Sequence, residues 1–378
     1  MQKIFEQISL NQQKGITLAH QLKQQITWLI AGGKLKPGES LPSVRQFSKH
    51  LSINLHTVRN AYQMLESEGL VETRQGLGTR VLTFDPRRMW RVTQELHTKT
   101  VGVILASLSN PFYHALLQGI AETADENQTM MFVCNTQDDP TEAWRYFIQL
   151  SARQVDGIII ASHGVVDQLC NDPAPKPEGL AMVPFVTVDW PGCSGPSVEL
   201  DLGGIGYQAI RHLLDHGHRR IGLITYAAEI ANVKPLNEGY HRALQDAGLQ
   251  RDPNLVARVG GFDLAAGAEG AFKLMNVPNP PTAIFAITDL MATGAMQAIK
   301  ASGRSVPGDI ALVGFNDIPL AGMLSPPLTT ATAPAYAMGQ EAMKMLNRLI
   351  KGERLKQKRV IFPSHLVVRQ SCGSHTST

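Results

Sequence analysis

Two sets of side chains in this 378-residue chain have types and spacings suited to recognition chemistry. The first lies in LPSVRQFSKHLSINLHTVRNAYQMLESEGL, residues 41–70, which brings together Ser43, Arg45, His56, Thr57 and Arg59. Guanidinium, imidazole and hydroxyl groups bond phosphate oxygens and base edges, so this set suits a nucleic-acid duplex. The second set is spread over the remaining chain: Phe112 and Tyr113, Asp189 and Trp190, Phe262 and Asp289, each close behind an apolar run. Aromatic rings pack on the CH faces of a sugar and carboxylates take its hydroxyls in pairs, so this set suits a small polyol. Each has a plainer account. Arg45 could pair with a nearby glutamate, His56 could be idle surface, Phe112 and Phe262 could be core, and Asp189 or Asp201 could cap the following helix.

The elements that must position the first set are legible. Leu18, Leu22, Ile26, Leu29 and Ile30 recur at helical spacing before Gly32-Gly33. A second helix follows the cap candidate Ser43, with Val44, Phe47 and Leu51 on one face, and a third opens at Asn54 and buries Val58, Tyr62 and Leu65. Two helices joined by so short a turn form a helix-turn-helix, which presents its second helix to a major groove. LVETRQGLGTRVL then reads as two short strands around Gly76 and Gly78, a wing whose tip can approach a sugar-phosphate backbone closely. Charge agrees: residues 1–99 carry 14 Lys/Arg against 7 Asp/Glu, whereas the rest of the chain is mildly acidic.

From Val101 the apolar runs TVGVILA, MMFVCN, VDGIIIA, FVTVDW, RIGLIT, LVARVG, AIFAIT and IALVGFND alternate with helical stretches. These predict buried parallel strands covered by helices on both faces, an α/β body of two doubly wound lobes with a ligand cleft at the strand ends. The chain therefore divides into a winged helix-turn-helix at 1–82, a linker at 83–99 and a ligand-binding domain at 100–370. Lobe one is expected at about 100–199 and 317–331, and lobe two at about 200–316 and 332–370.

The stretch from Lys36 to Leu82, with PGESLPS, the helix pair, LESEGLV and QGLGT, closely resembles the winged-helix domain of GntR-family transcription regulators. The resemblance implies DNA contacts at Ser43, Arg45, His56, Thr57, Arg59, Gln75 and Gly76. Leu55 stands where many members carry an arginine, which implies a different base preference. SNPFYHALLQGI, DHGHRRIG, NEGYHRAL, ITDLMATGAMQAI and VPGDIALVGFND with SPPLTTA look like the effector domain of LacI-type regulators, itself similar to periplasmic sugar-binding proteins. A GntR-type head on such a body resembles the arabinose-repressor class. This implies effector contacts at Phe112, Tyr113, Asp189, Trp190, Phe262 and Asp289, with Asp289 as the ligand carboxylate. Two departures matter: Leu236 replaces an arginine, with Asn232 or Lys234 nearby, and Ala333 replaces a glutamine. Loss of the guanidinium favours a neutral sugar over an anionic effector.

The expected function is thus a cytoplasmic, homodimeric repressor of carbohydrate-utilisation genes, released from operator DNA by a sugar-like effector. Activation, or a response to a nucleoside or sugar phosphate, is the alternative. A sugar-modifying enzyme tethered to DNA is the rival from another class, but no motif combines nucleophile, base and orienting group. No catalytic residue, metal site or cofactor is expected. His212, His216 and His218 read as a helix terminus rather than metal ligands. Cys134, Cys170, Cys193 and Cys372 lack paired spacing and read as reduced thiols. Neither a signal peptide nor a membrane span is expected.

Overall fold

The computed structural model describes residues 8, 10, 17–31, 34–74, 78–83, 99–163, 183–190, 195–228 and 230–373. In the N-terminal unit, α1 (Leu18–Ala31), α2 (Val44–Leu51) and α3 (Leu55–Ser67) precede the hairpin β1 (Val71–Arg74) and β2 (Gly78–Val81). Leu22, Ile26, Phe47, Val58, Tyr62 and Leu65 form its core, one apolar stripe from each helix. The α2 boundary is set chemically: Ser43 Oγ accepts the Gln46 N–H while Gln46 Oε1 accepts the Ser43 N–H, a reciprocal cap. Ser52 adopts a left-handed conformation, φ 52°, that ends α2, and Asn54 caps α3 through the His56 N–H. Gln75, Gly76 and the connector 84–98 lie outside the described residues.

The second unit contains two six-stranded sheets. The first comprises β3 (Thr100–Leu105), β4 (Met130–Asn135), β5 (Gly157–Ala161), β6 (Phe185–Val188), β7 (Ser197–Leu200) and a late strand, Arg359–Phe362. Helices α4 (Pro111–Glu126) and α5 (Pro140–Ala152) fall within this lobe. The second sheet comprises β8 (Ile221–Tyr226), β9 (Val256–Val259), β10 (Ala283–Ala286), β11 (Ala311–Asn316), β12 (Thr329–Thr332) and a final short strand, Leu366–Val367. Its helices are α6 (Leu202–Asp215), α7 (Lys234–Asp246), α8 (Leu264–Met275), α9 (Asp289–Ala301) and α10 (Pro319–Met323). Helix α11 (Ala335–Ile350) returns to lobe one and packs on α4, and the late strand, now β13, pairs in parallel with β7. The final strand, β14, pairs antiparallel with β12.

The expected lobe boundaries are corrected accordingly. Residues 317–331 lie with lobe two, since β12 extends its sheet beside β11, and residues 335–362 belong to lobe one. The chain crosses between lobes at 201, 333–334 and 363–365. The expectation that every apolar run is a buried strand also fails at β4: this edge strand leaves Met130 67% exposed and Phe132 46% exposed. Helix spacing depends on glycine. A Cβ at Gly294 in α9 would overlap the Leu264 carbonyl oxygen, and one at Gly267 in α8 would overlap that of Met291, so only paired glycines allow the two backbones to pack this closely.

Candidate functional site

In the head, α3 is locked against α2 by a T-shaped Phe47–Tyr62 contact, ring centroids 6.2 Å apart, and by the Tyr62 hydroxyl donating to the Pro42 carbonyl. The Lys23–Glu68 ion pair ties α1 to the end of α3, and Glu66 accepts the Thr73 N–H at the start of the wing. This rigid frame leaves Arg45, His56 and Arg59 exposed, with Thr57 half-buried beside them. Among the described residues neither arginine has a carboxylate partner, so both guanidiniums are available to phosphates or bases. Ser43 is exposed, but its hydroxyl is engaged in the cap.

The body holds a cavity of about 180 Å³ where the carboxyl ends of the two sheets face each other. Lobe one contributes Phe112 and Tyr113 after β3, Asp138 after β4, His163 after β5 and the Asp189-Trp190 pair after β6. Lobe two contributes Asn232 and Leu236 after β8, Phe262 and Asp263 after β9, Thr288 after β10 and Asn316 at the end of β11. Of the sequence-stated effector residues, Phe112, Tyr113, Asp189, Trp190 and Phe262 therefore share one cavity. Their rings are held by neighbours: Phe112 meets Tyr113 edge-on at 5.2 Å, Trp190 lies 5.9 Å from His163, and Phe262 stacks on Tyr226 at 4.6 Å.

Several polar groups at the cavity are helix caps. Asn110 accepts the Phe112 N–H at the start of α4, Asp263 accepts the Ala266 N–H of α8, and Thr288 accepts the Met291 N–H of α9. Three helix N-termini thus converge on the cleft with their positive dipole ends. Asp138 and Asp189 both sit in the left-handed region, each with φ 62°, where strands β4 and β6 give way to the cleft. Burial pushes the Asp189 carboxyl up to about 7, a hydrogen bond from Asn232 opposes this, and Glu199 adds to it. Burial likewise raises Asp138, opposed by His163. The Tyr113 hydroxyl rises well above its ordinary value through burial and these two carboxylates.

Asp289 is not among the cavity residues. Its side chain is fully buried: Oδ2 accepts the Ile318 N–H at 2.8 Å and Oδ1 accepts the Thr330 hydroxyl at 2.6 Å. Gly314 leaves room for the carboxylate, since a Cβ there would overlap Oδ1. Its neighbour Thr288 faces the cavity because successive residues at a helix start point in different directions. The nearby Arg369–Asp317 pair, 2.7 Å, belongs to the same buried-to-surface network. Asp201 caps α6 through the Gly204 N–H. Asn232 does line the cavity, whereas Lys234 points to Glu238. Sequence reasoning missed Asp138, His163, Asp263, Thr288 and Asn316. Asp138 was findable, because it follows β4 as Asp189 follows β6. Among the described residues no three side chains form a metal-binding group, and no helix is long and apolar enough to cross a membrane.

Comparison with known proteins matches the head and the later part of the body. The pattern of the bacterial regulatory proteins of the gntR family matches residues 18–81, and that of the periplasmic binding protein-like domain matches residues 210–372. The transcriptional regulator DegA of Bacillus subtilis (strain 168) is 34% identical over 281 residues, covering 72% of this chain and 81% of DegA. This chain belongs to the LacI-type transcription regulators, with a GntR-type head. The repressor CytR of Escherichia coli (strain K12) is 26% identical over 340 residues, 89% of this regulator and 98% of CytR. A solved regulator–cellobiose complex, CelR, is 26% identical with a TM-score of 0.64, covering 88% of this regulator and 100% of CelR. The regulator is a ligand-responsive, DNA-binding repressor of that class, and its curated relatives are transcription regulators.

Proposed function

We propose that this regulator represses carbohydrate-utilisation genes in the cytoplasm and leaves its operator when a small hydroxylated effector fills the cleft. The observation that carries the reading is the cavity lining: rings of Phe112, Tyr113, Trp190 and Phe262 beside the acceptors Asp138, Asp189 and Asn232. Rings and acceptors together suit the CH faces and hydroxyls of a polyol. The cellobiose held by CelR supports a sugar-like ligand.

On the DNA side, Arg45, His56, Thr57 and Arg59 read bases and phosphates, with Gln75 and Gly76 of the wing on the backbone. Two heads of a homodimer read the two halves of a near-palindromic operator. The exposed apolar edge strand β4, with Met130, Phe132 and Val133, supports self-association at that edge. Ligand binding shifts the equilibrium only if it favours one lobe arrangement over the other, which a cleft contacted from both lobes allows.

The test is fluorescence anisotropy on DNA from upstream of the regulator's own gene, titrated with hexoses, pentoses and sugar alcohols. Tight binding relieved by a panel member agrees with the reading. Tight binding strengthened by one instead makes the effector a corepressor and overturns the derepression mechanism.

A further inference from the structure

The electrostatics of the cleft are one-sided. Among the described residues its lining carries three carboxylates, Asp138, Asp189 and Asp263, and neither lysine nor arginine, and the one imidazole there, His163, acts on Asp138. Leu236 occupies the helix α7 position that faces this space. The lining also includes two hydrogen-bond acceptors, one from each lobe. Asn232 of lobe two shares the cavity with the Asp189 carboxylate of lobe one and opposes its upward shift, and the Asn232 Oδ1 is itself an acceptor. That oxygen and Asp189 Oδ1 are both buried and without a hydrogen-bond partner. Buried acceptors are normally satisfied, and each orphan carries its full desolvation cost.

A ligand that brings acceptors there, such as a carboxylate or phosphate, worsens this imbalance. A hydroxyl supplies a donor but no charge. An ammonium group supplies up to three donors together with the cation that the carboxylates lack, and the rings of Tyr113 and Trp190 line the same cavity. We propose that the effector carries a basic nitrogen, protonated at neutral pH, seated between Asp189 and Asn232, so that its class is an amino sugar or a comparably hydroxylated amine. This rests on the reading of the cleft as the effector site. The pressure of burial and Glu199 on Asp189 points the same way, because a bound cation returns that carboxyl to its ionised form.

The experiment uses full-length regulator and isosteric pairs: 3-aminopropane-1,2-diol against glycerol, and D-glucosamine and D-galactosamine against the parent hexoses and their N-acetyl and 6-phosphate derivatives. Binding is read by thermal shift and calorimetry. A charge-assisted hydrogen bond in a desolvated site makes the amine member of a binding pair about 10- to 100-fold tighter. Asp189→Asn removes that preference. Asparagine tolerates the left-handed backbone at this position, so the variant retains the local fold, and Asp138→Asn provides a second carboxylate removal at an equally tolerant position. Neutral members binding as tightly as their amines, or a phosphate binding tighter, overturns the charge assignment and leaves the cleft as effector site. Amines that shift nothing at millimolar concentration also overturn it, while operator release by a neutral sugar in the anisotropy assay would still uphold the cleft reading.

Discussion

Asp289 provides a decisive contrast, because family resemblance and geometry assign it different work. The structure makes it an internal bolt that holds the turn at Ile318 and strand β12 at Thr330, with its carboxylate away from the cleft. Burial pushes its carboxyl from 3.8 up to about 6, against the opposing Thr330 and Ile318 bonds. A folded value above the unfolded one means stability that is fully present below about 4 and lost as pH rises through about 6. By linkage this amounts to about 3 kcal/mol. Asp289→Asn keeps an acceptor for the Ile318 N–H and can donate to the Thr330 hydroxyl, which already lies 3.4 Å from the Ala331 carbonyl. The variant is therefore expected within about 1 kcal/mol of the parent protein at pH 7.5. Relative to the parent it should gain about 2–3 kcal/mol between pH 4 and pH 7.5, because it no longer deprotonates. Asp289→Ala strands two buried donors and should lose about 2–4 kcal/mol. Urea unfolding at both pH values, paired with calorimetry of effector binding, measures this. An Asp289→Asn protein of unchanged stability and unchanged pH profile that no longer binds effector would refute the bolt and restore the ligand role.

Other outcomes follow from the same structure. Arg59→Ala should weaken operator binding by about 1–3 kcal/mol if it reads a base, with effector calorimetry unchanged; a phosphate role would instead lower the salt slope of binding by about one. Gly294→Ala forces a methyl group into the Leu264 carbonyl oxygen and should cost about 1–3 kcal/mol in thermal unfolding, with Ala298→Gly in the same helix as a control for propensity alone. Ser43→Ala removes the reciprocal cap of α2 and should cost the head about 0.5–2 kcal/mol, seen as an earlier melting transition. Amine binding at Asp189 should be strongest between about pH 7 and the pKa of the ligand's own amine and weaken about tenfold per unit below pH 7, since the carboxyl is pushed up to about 7 and must be ionised to pair with a protonated amine.

Much of this regulator was legible in one dimension because its elements are specified locally. Helix periodicity, the Ser43 and Asn54 caps and the paired turn depend on residues within one or two turns of each other, and the structure reproduces all of them. The strand-end positions of Tyr113, Asp189, Trp190 and Phe262 followed from the same logic, since parallel α/β sheets place ligands beyond the carboxyl ends of strands. Asp138 obeyed that rule too, but NTQDD offers several polar residues after β4 and nothing local says which one turns inward.

What tertiary structure alone decided depends on distant partners. Strand β12 lacks a long apolar run, and its place beside β11 is set by pairing and by the Asp289 and Ser371 contacts, which is why the lobe boundary was misplaced. Adjacent Thr288 and Asp289 divide between cleft and core because the fold, not residue type, aims each side chain. The Asp189–Asn232 bridge joins residues from opposite lobes, so the unsatisfied acceptor pair and the one-sided charge of the cleft exist only once both sheets are folded. Amino-acid order determined the elements and the class of regulator, since these rest on short-range patterns. The chemistry of the cleft was decided by long-range packing, which sets the burial and partners of each polar atom.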